Sequence, residues 1–100
     1  MEKKKQFEQE AIARANQWQA ACGINGKKTA QQLQSYGGVE VIKRQINQGM
    51  VCEAFDALAQ KSMLDLSLEA LVVDRRFDDL FEDEEVNFCL NLLLEAGYTF

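Results

Sequence analysis

The spacing of apolar residues along this chain follows a helical period almost throughout. Phe7, Ala11, Ala15, Trp18 and Cys22 recur at intervals of three or four residues, which places them on one face of an amphipathic helix. The same test predicts helices at residues 2–22, 29–36, 39–48, 50–61, 67–74 and 83–96. The β-branched residues at 39–42 are also compatible with the start of a strand. A helix is favoured there because the helical period continues for another turn.

The most apolar long segment is residues 82–100, which contains the last predicted helix. At 3.6 residues per turn, apolar side chains cover most of this helix. Its polar residues form one narrow stripe of Glu84, Asn87, Asn91 and Glu95. Such a helix needs neighbours around most of its circumference. We therefore predict an all-α fold, a compact single-domain bundle of five to six short helices around an apolar C-terminal helix.

Local signals indicate where several helices begin and end. Gly23 stands where a left-handed residue would end the first helix. Thr29 and Ser67 are predicted to cap the N-termini of two later helices. At the last helix, Glu82 as the N-cap would place Glu85 at the third helical position, where its carboxylate can accept the N–H of the cap.

The composition is typical of one soluble globular domain, with 47% hydrophobic and 27% charged residues among 100. No apolar run approaches the roughly 18–20 residues that cross a bilayer, and the start of the chain does not resemble a secretory signal. We therefore expect a cytoplasmic protein. Because Cys22, Cys52 and Cys89 are odd in number, we expect buried thiols rather than disulfides.

The chain contains no histidine, which excludes imidazole zinc sites, His-based catalytic triads and most general acid–base pairs. No carboxylate spacing matches a calcium loop. The sequence therefore predicts a protein that is not an enzyme, with no cofactor, no metal and no small-molecule substrate. Residues 65–98 are similar to the C-terminal regions of small bacterial accessory proteins, a resemblance that implies no activity or site.

The two halves of the chain carry opposite charge: residues 1–50 sum to +4 and residues 51–100 to −9. With no catalytic residues and an over-apolar last helix, we predict a function in protein–protein interaction. The partner is either another protein or a second copy in a homodimer. The candidate partner-binding residues are aromatic or acidic: Phe77, Phe81, Asp78, Asp79, Glu82, Asp83, Tyr98 and Phe100.

A role involving nucleic acid is the alternative. Residues 29–48 could form a helix-turn-helix, with Lys27, Lys28, Lys43 and Arg44 as the candidate nucleic-acid contacts. Residues 74–85 hold a cluster of carboxylates that could instead imitate a phosphate backbone and block a DNA-binding protein. A solvated polar face is the more favoured interpretation of both features.

Overall fold

The structure is a computed structural model that describes residues 3–98. It contains six α-helices and two short 3₁₀ turns, and it has no strand within those residues. The helices are α1 (Lys3–Cys22), α2 (Lys27–Tyr36), α3 (Gly38–Asn47), α4 (Phe55–Gln60), α5 (Leu68–Val72) and α6 (Asp83–Glu95), and the 3₁₀ turns span Leu64–Leu66 and Asp78–Leu80. With a radius of gyration of 12.2 Å, close to the ~13 Å expected for a compact chain of this length, the fold is a single all-α domain, as predicted. None of the helices in residues 3–98 is long and apolar enough to span a bilayer.

Helix α1 lies at the centre of the bundle. Phe7, Ala11, Ala15 and Trp18 follow one another along a single face, and all four are 0% exposed. Helices α2, α3, α4 and α5 all pack against α1. The indole N–H of Trp18 donates to the carbonyl of Leu66 at 2.9 Å, so its one polar atom is satisfied inside the core.

Small residues let other helices approach the backbone of α1 closely. A Cβ atom at Gly26 would lie 2.1 Å from the carbonyl oxygen of Ala15, and one at Gly38 would lie 2.9 Å from the Cα atom of Glu8. These glycines immediately precede α2 and open α3. The starts of both helices are therefore pressed against α1, which a larger residue at either position would prevent.

Helix α6 lies at the edge of the bundle, against α5 and α3, which corrects the prediction that the chain is built around it. Only Glu85, Cys89 and Leu93 are buried, a single row at intervals of four residues. The predicted polar stripe of Glu84, Asn87, Asn91 and Glu95 is confirmed as exposed. Leu94, however, is also 53% exposed. The helix has neighbours on one side instead of nearly all round.

Two of the predicted helix ends are confirmed. Gly23 follows α1 with φ +78°, the left-handed conformation expected after a helix. The hydroxyl of Ser67 accepts the N–H of Ala70 at 3.1 Å, so Ser67 caps α5 as predicted.

The predicted cap at Thr29 was wrong. Helix α2 begins two residues earlier, at Lys27, and the Thr29 hydroxyl donates to Glu53 Oε1 at 2.9 Å. Helix α4 is also shorter than its predicted range of 50–61. Residues 48–54, here called the connector, cross from α3 to α4 without forming a helix. The backbone N–H of Cys52 in this segment donates to Glu69 Oε2 at 2.7 Å.

Candidate functional site

Two of the four aromatic members of the predicted partner surface, Phe77 and Phe81, lie inside the protein. Phe77 is 0% exposed and Phe81 is 7% exposed. Both rings pack edge-on against Phe7 of α1, with ring centroids 5.4 Å and 5.3 Å apart. These two residues are therefore core residues, which removes them from the surface available to a partner. Tyr98 is half-buried and packs against the core, and Phe100 lies outside the described residues.

The acidic members of that surface remain exposed. Asp78, Glu82 and Asp83 are all open to solvent, and none of them pairs with a lysine or arginine among residues 3–98. Asp79 is also exposed but differs, because it pairs with Lys3 at 2.8 Å. The hydrogen bond from Lys3 lowers the pKa of Asp79. The segment before α6 thus presents several carboxylates with no cation of their own.

An apolar row on α6 runs away from these carboxylates. Val86, Leu90 and Leu94 follow one another at intervals of one helical turn. The first two are half-buried and the third is 53% exposed. Val86 lines the same shallow hollow as Asp78 and Asp83. The acidic segment and the apolar row therefore form one continuous surface, here called the α6 surface.

Glu85 fixes the start of α6 from inside. It is 7% exposed, and its Oε1 accepts the backbone N–H of Glu82 at 2.8 Å, as the sequence predicts for the third helical position. Its Oε2 accepts from Asn47 at 3.2 Å, and the ammonium group of Lys43 lies 3.6 Å from Oε1. Glu85 is thus a buried carboxylate with a cation and hydrogen bonds from two other residues.

The four predicted nucleic-acid contacts differ in their surroundings. Lys43 is engaged by Glu85, whereas Lys27, Lys28 and Arg44 are exposed. Lys27 and Lys28 lie in the first turn of α2 and Arg44 in the last turn of α3.

Sequence reasoning missed two features. Tyr36 and Met50 are 64% and 54% exposed and line a surface groove together with Arg44. Glu69 is 5% exposed, although its position in the first turn of a short helix is typical of a solvated carboxylate. No sequence signal distinguishes it from an exposed glutamate.

Residues 3–98 contain no cluster of side chains that could bind a metal ion. No group of three or more cysteine or carboxylate side chains within residues 3–98 is placed to hold a metal ion. Cys52 and Cys89 are buried free thiols, and Cys22 is a half-buried one.

Comparison of the chain with models of protein families, with curated proteins and with solved structures found no match. The argument for a function therefore starts from the geometry of the α6 surface.

Proposed function

We propose that this chain is a small non-enzymatic helical protein that acts by binding a protein partner on its α6 surface. The partner presents basic and apolar side chains together, as a positively charged amphipathic helix does. A second copy is one candidate, because the first half of this chain carries the opposite charge to its second half.

The observation that supports this proposal is the incomplete burial of the most apolar helix. Seven of the thirteen residues of α6 are apolar, yet only one row of the helix is fully covered. A single exposed leucine is ordinary on a protein surface. Leu94 differs because it ends a row of three apolar residues, which begins beside the carboxylates of Asp78 and Asp83.

The charges beside the row indicate the kind of partner. Asp78, Glu82, Asp83 and Glu84 are exposed and have no ion pair within residues 3–98. Unpaired exposed carboxylates repel an acidic partner and attract a basic one, which favours encounter and orientation more than affinity. The apolar row then supplies the desolvated contact on which affinity depends.

A pair of lysine substitutions tests the proposal. Leu94→Lys places a charge on the α6 surface, and Met50→Lys places the same charge on an equally exposed apolar residue elsewhere. Each variant serves as bait for capture from the native cell, and the proteins retained are identified. A partner held by the wild type and by Met50→Lys but bound about tenfold more weakly by Leu94→Lys supports the proposal. A partner bound equally by all three forms contradicts it.

Light scattering on the same proteins tests the second copy as the partner. If the wild type and Met50→Lys dimerise at high micromolar concentration and Leu94→Lys stays monomeric, the partner is another copy. If all three forms stay monomeric, the second copy is excluded and the partner is a different protein.

Mimicry of nucleic acid is a second candidate, favoured by the same unpaired carboxylates. In that case the partner is a DNA-binding protein, and DNA competes with this chain for it. Binding to the captured partner that is unaffected by an excess of DNA would rule mimicry out and leave the general interaction role.

A further inference from the structure

The second buried carboxylate, Glu69 of α5, lacks the nearby cation and the full set of hydrogen bonds that Glu85 has. Its Oε2 accepts the backbone N–H of Cys52 at 2.7 Å, whereas its Oε1 is fully buried with no hydrogen-bond partner. No lysine or arginine within residues 3–98 forms an ion pair with it. A buried carboxylate with one unsatisfied oxygen and no cation is unfavourable when it is ionised and tolerable when it carries a proton.

No cation within residues 3–98 pairs with Glu69 to balance a negative charge. Two titratable groups interact electrostatically with Glu69: the thiol of Cys52 on the connector and the thiol of Cys89 on α6. Glu85 on α6 acts on the same Cys89 thiol. On the other elements packed against α5, α1 carries Arg14 and the 3₁₀ turn carries Asp65. Burial raises the pKa of both thiols, which are therefore neutral. Arg14 donates to the backbone carbonyl of Asp65, and Glu85 is itself acidic.

The hydrogen bond at Glu69 joins two separate parts of the fold. Glu69 belongs to α5, whereas Cys52 lies in the middle of the connector, between Gly49, with φ +71°, and α4. The connector also carries Met50, which lines the groove with Tyr36 and Arg44. The protonation state of Glu69 therefore affects the connector, a segment that reaches the protein surface at Met50.

We propose that Glu69 is a proton-operated latch that holds the connector on the core. With its proton, the carboxyl group is neutral, stays buried and keeps its bond to the N–H of Cys52. Without the proton, the buried charge favours open states in which the connector has moved away and water reaches the carboxylate. The surface around Met50 changes when the latch opens.

The direction of the pH dependence follows from the burial. Desolvation raises the pKa of Glu69 above its ordinary value of 4.5, and the hydrogen bonds from the Cys52 thiol and N–H oppose this only in part. The stabilisation from the neutral acid is fully present below the ordinary pKa and is lost as the pH rises through the pKa of the folded state. Opening should therefore become easier as the pH rises.

The test is NMR on the full chain between about pH 3 and about pH 8, with two measurements. The first is the titration of the Glu69 side-chain carboxyl carbon in the wild type, which we expect above 4.5. The second is protection of the Cys52 amide from hydrogen exchange, corrected for intrinsic base catalysis. It should fall with pH, by up to about tenfold per unit until Glu69 is ionised.

Two substitutions separate the latch from other effects of pH. Glu69→Gln keeps the shape of the neutral acid, so the fall in Cys52 protection should disappear. Glu53→Gln removes an exposed carboxylate from the same connector and should leave the fall unchanged. A Glu69 titration at or below 4.5, or the same fall in Glu69→Gln as in the wild type, would overturn the proposal. If Glu69→Gln does not fold, the wild-type titration decides alone.

Discussion

Helix α1 buries completely a larger share of its apolar residues than α6 does, although α6 is the more hydrophobic of the two helices. Helix α1 is rich in lysine, glutamine and glutamate, and five of its nine apolar residues are alanines. Four of the nine are completely buried. Helix α6 is more apolar and carries four leucines, but Cys89 and Leu93 are its only fully buried apolar residues.

The difference shows that a central helix needs accessibility as well as hydrophobicity. In α1, Phe7 and Trp18 supply the large side chains, and Ala11 and Ala15 between them leave room for neighbouring backbones to approach. In α6, leucine side chains point in several directions around the helix, and the neighbouring helices do not cover all of them. Helix α1, which other elements can approach closely, therefore lies at the centre of the bundle. The more hydrophobic helix α6 lies at its edge and has one apolar side that no other helix covers.

The largest expected effect is the loss of the Trp18 side chain from α1. Trp18→Ala should lower the free energy of unfolding by about 4 kcal/mol, because it leaves a large cavity and removes the donor to the Leu66 carbonyl. Urea denaturation followed by circular dichroism measures this. Leu94→Ala on α6 is the control and should change stability by less than about 0.5 kcal/mol. Equal losses in the two variants would contradict the assignment of α1 as the centre.

A glycine substitution tests the close approach to α1 without removing any core atom. Gly26→Ala should cost about 3 kcal/mol, because the new methyl group would collide with the backbone of Ala15. Gly26 has φ −88°, so alanine meets no conformational penalty there. Gly23→Ala, in open space at φ +78°, is the matched control and should cost only about 1 kcal/mol. If the control proves the more destabilising of the two in urea denaturation, α2 does not press on α1.

Features that depend on neighbours in the sequence were predictable. The cap at Ser67, the role of Glu85 at the third position of α6 and the polar stripe of α6 each involve residues within a turn or a few turns of one helix. The helical period also identified the buried face of α1, since Phe7 and Trp18 lie on it with alanines between them. The all-α fold class follows from this local information.

Features that depend on residues far apart in the chain were not predictable. Phe77 and Phe81 looked like a partner surface, because nothing near them in sequence shows that Phe7 covers their rings. The burial of Glu69 could not be read from its helix position, because the bond that holds it to the N–H of Cys52 spans 17 residues. Periodicity indicates which face of a helix is apolar but not which other element covers that face.

The smallest expected effect concerns the surface contact between α1 and the segment that leads to α6. Arg76 donates to both carboxylate oxygens of Glu10 at 2.7 and 2.9 Å, bonds Asp74 at 3.0 Å, and lies 4.7 Å from the centre of the Phe77 ring. Its side chain is 49% exposed. Arg76→Ala should therefore cost less than about 1 kcal/mol in spite of these contacts.

The acid dependence of that small effect distinguishes the ion pair from the packing. The hydrogen bond from Arg76 lowers the pKa of Asp74 below its ordinary value of 3.8, so the stabilisation is present above that value and is lost as the pH falls through the folded-state pKa. The difference between wild type and Arg76→Ala in urea denaturation should shrink from about pH 7 to about pH 3. Arg75→Ala, an exposed neighbour, should show no such change. If the difference in unfolding free energy between wild type and Arg76→Ala does not shrink in acid, Arg76 stabilises the fold through its contact with the Phe77 ring. The contact between α1 and this segment would then depend on packing against the core rather than on a surface ion pair.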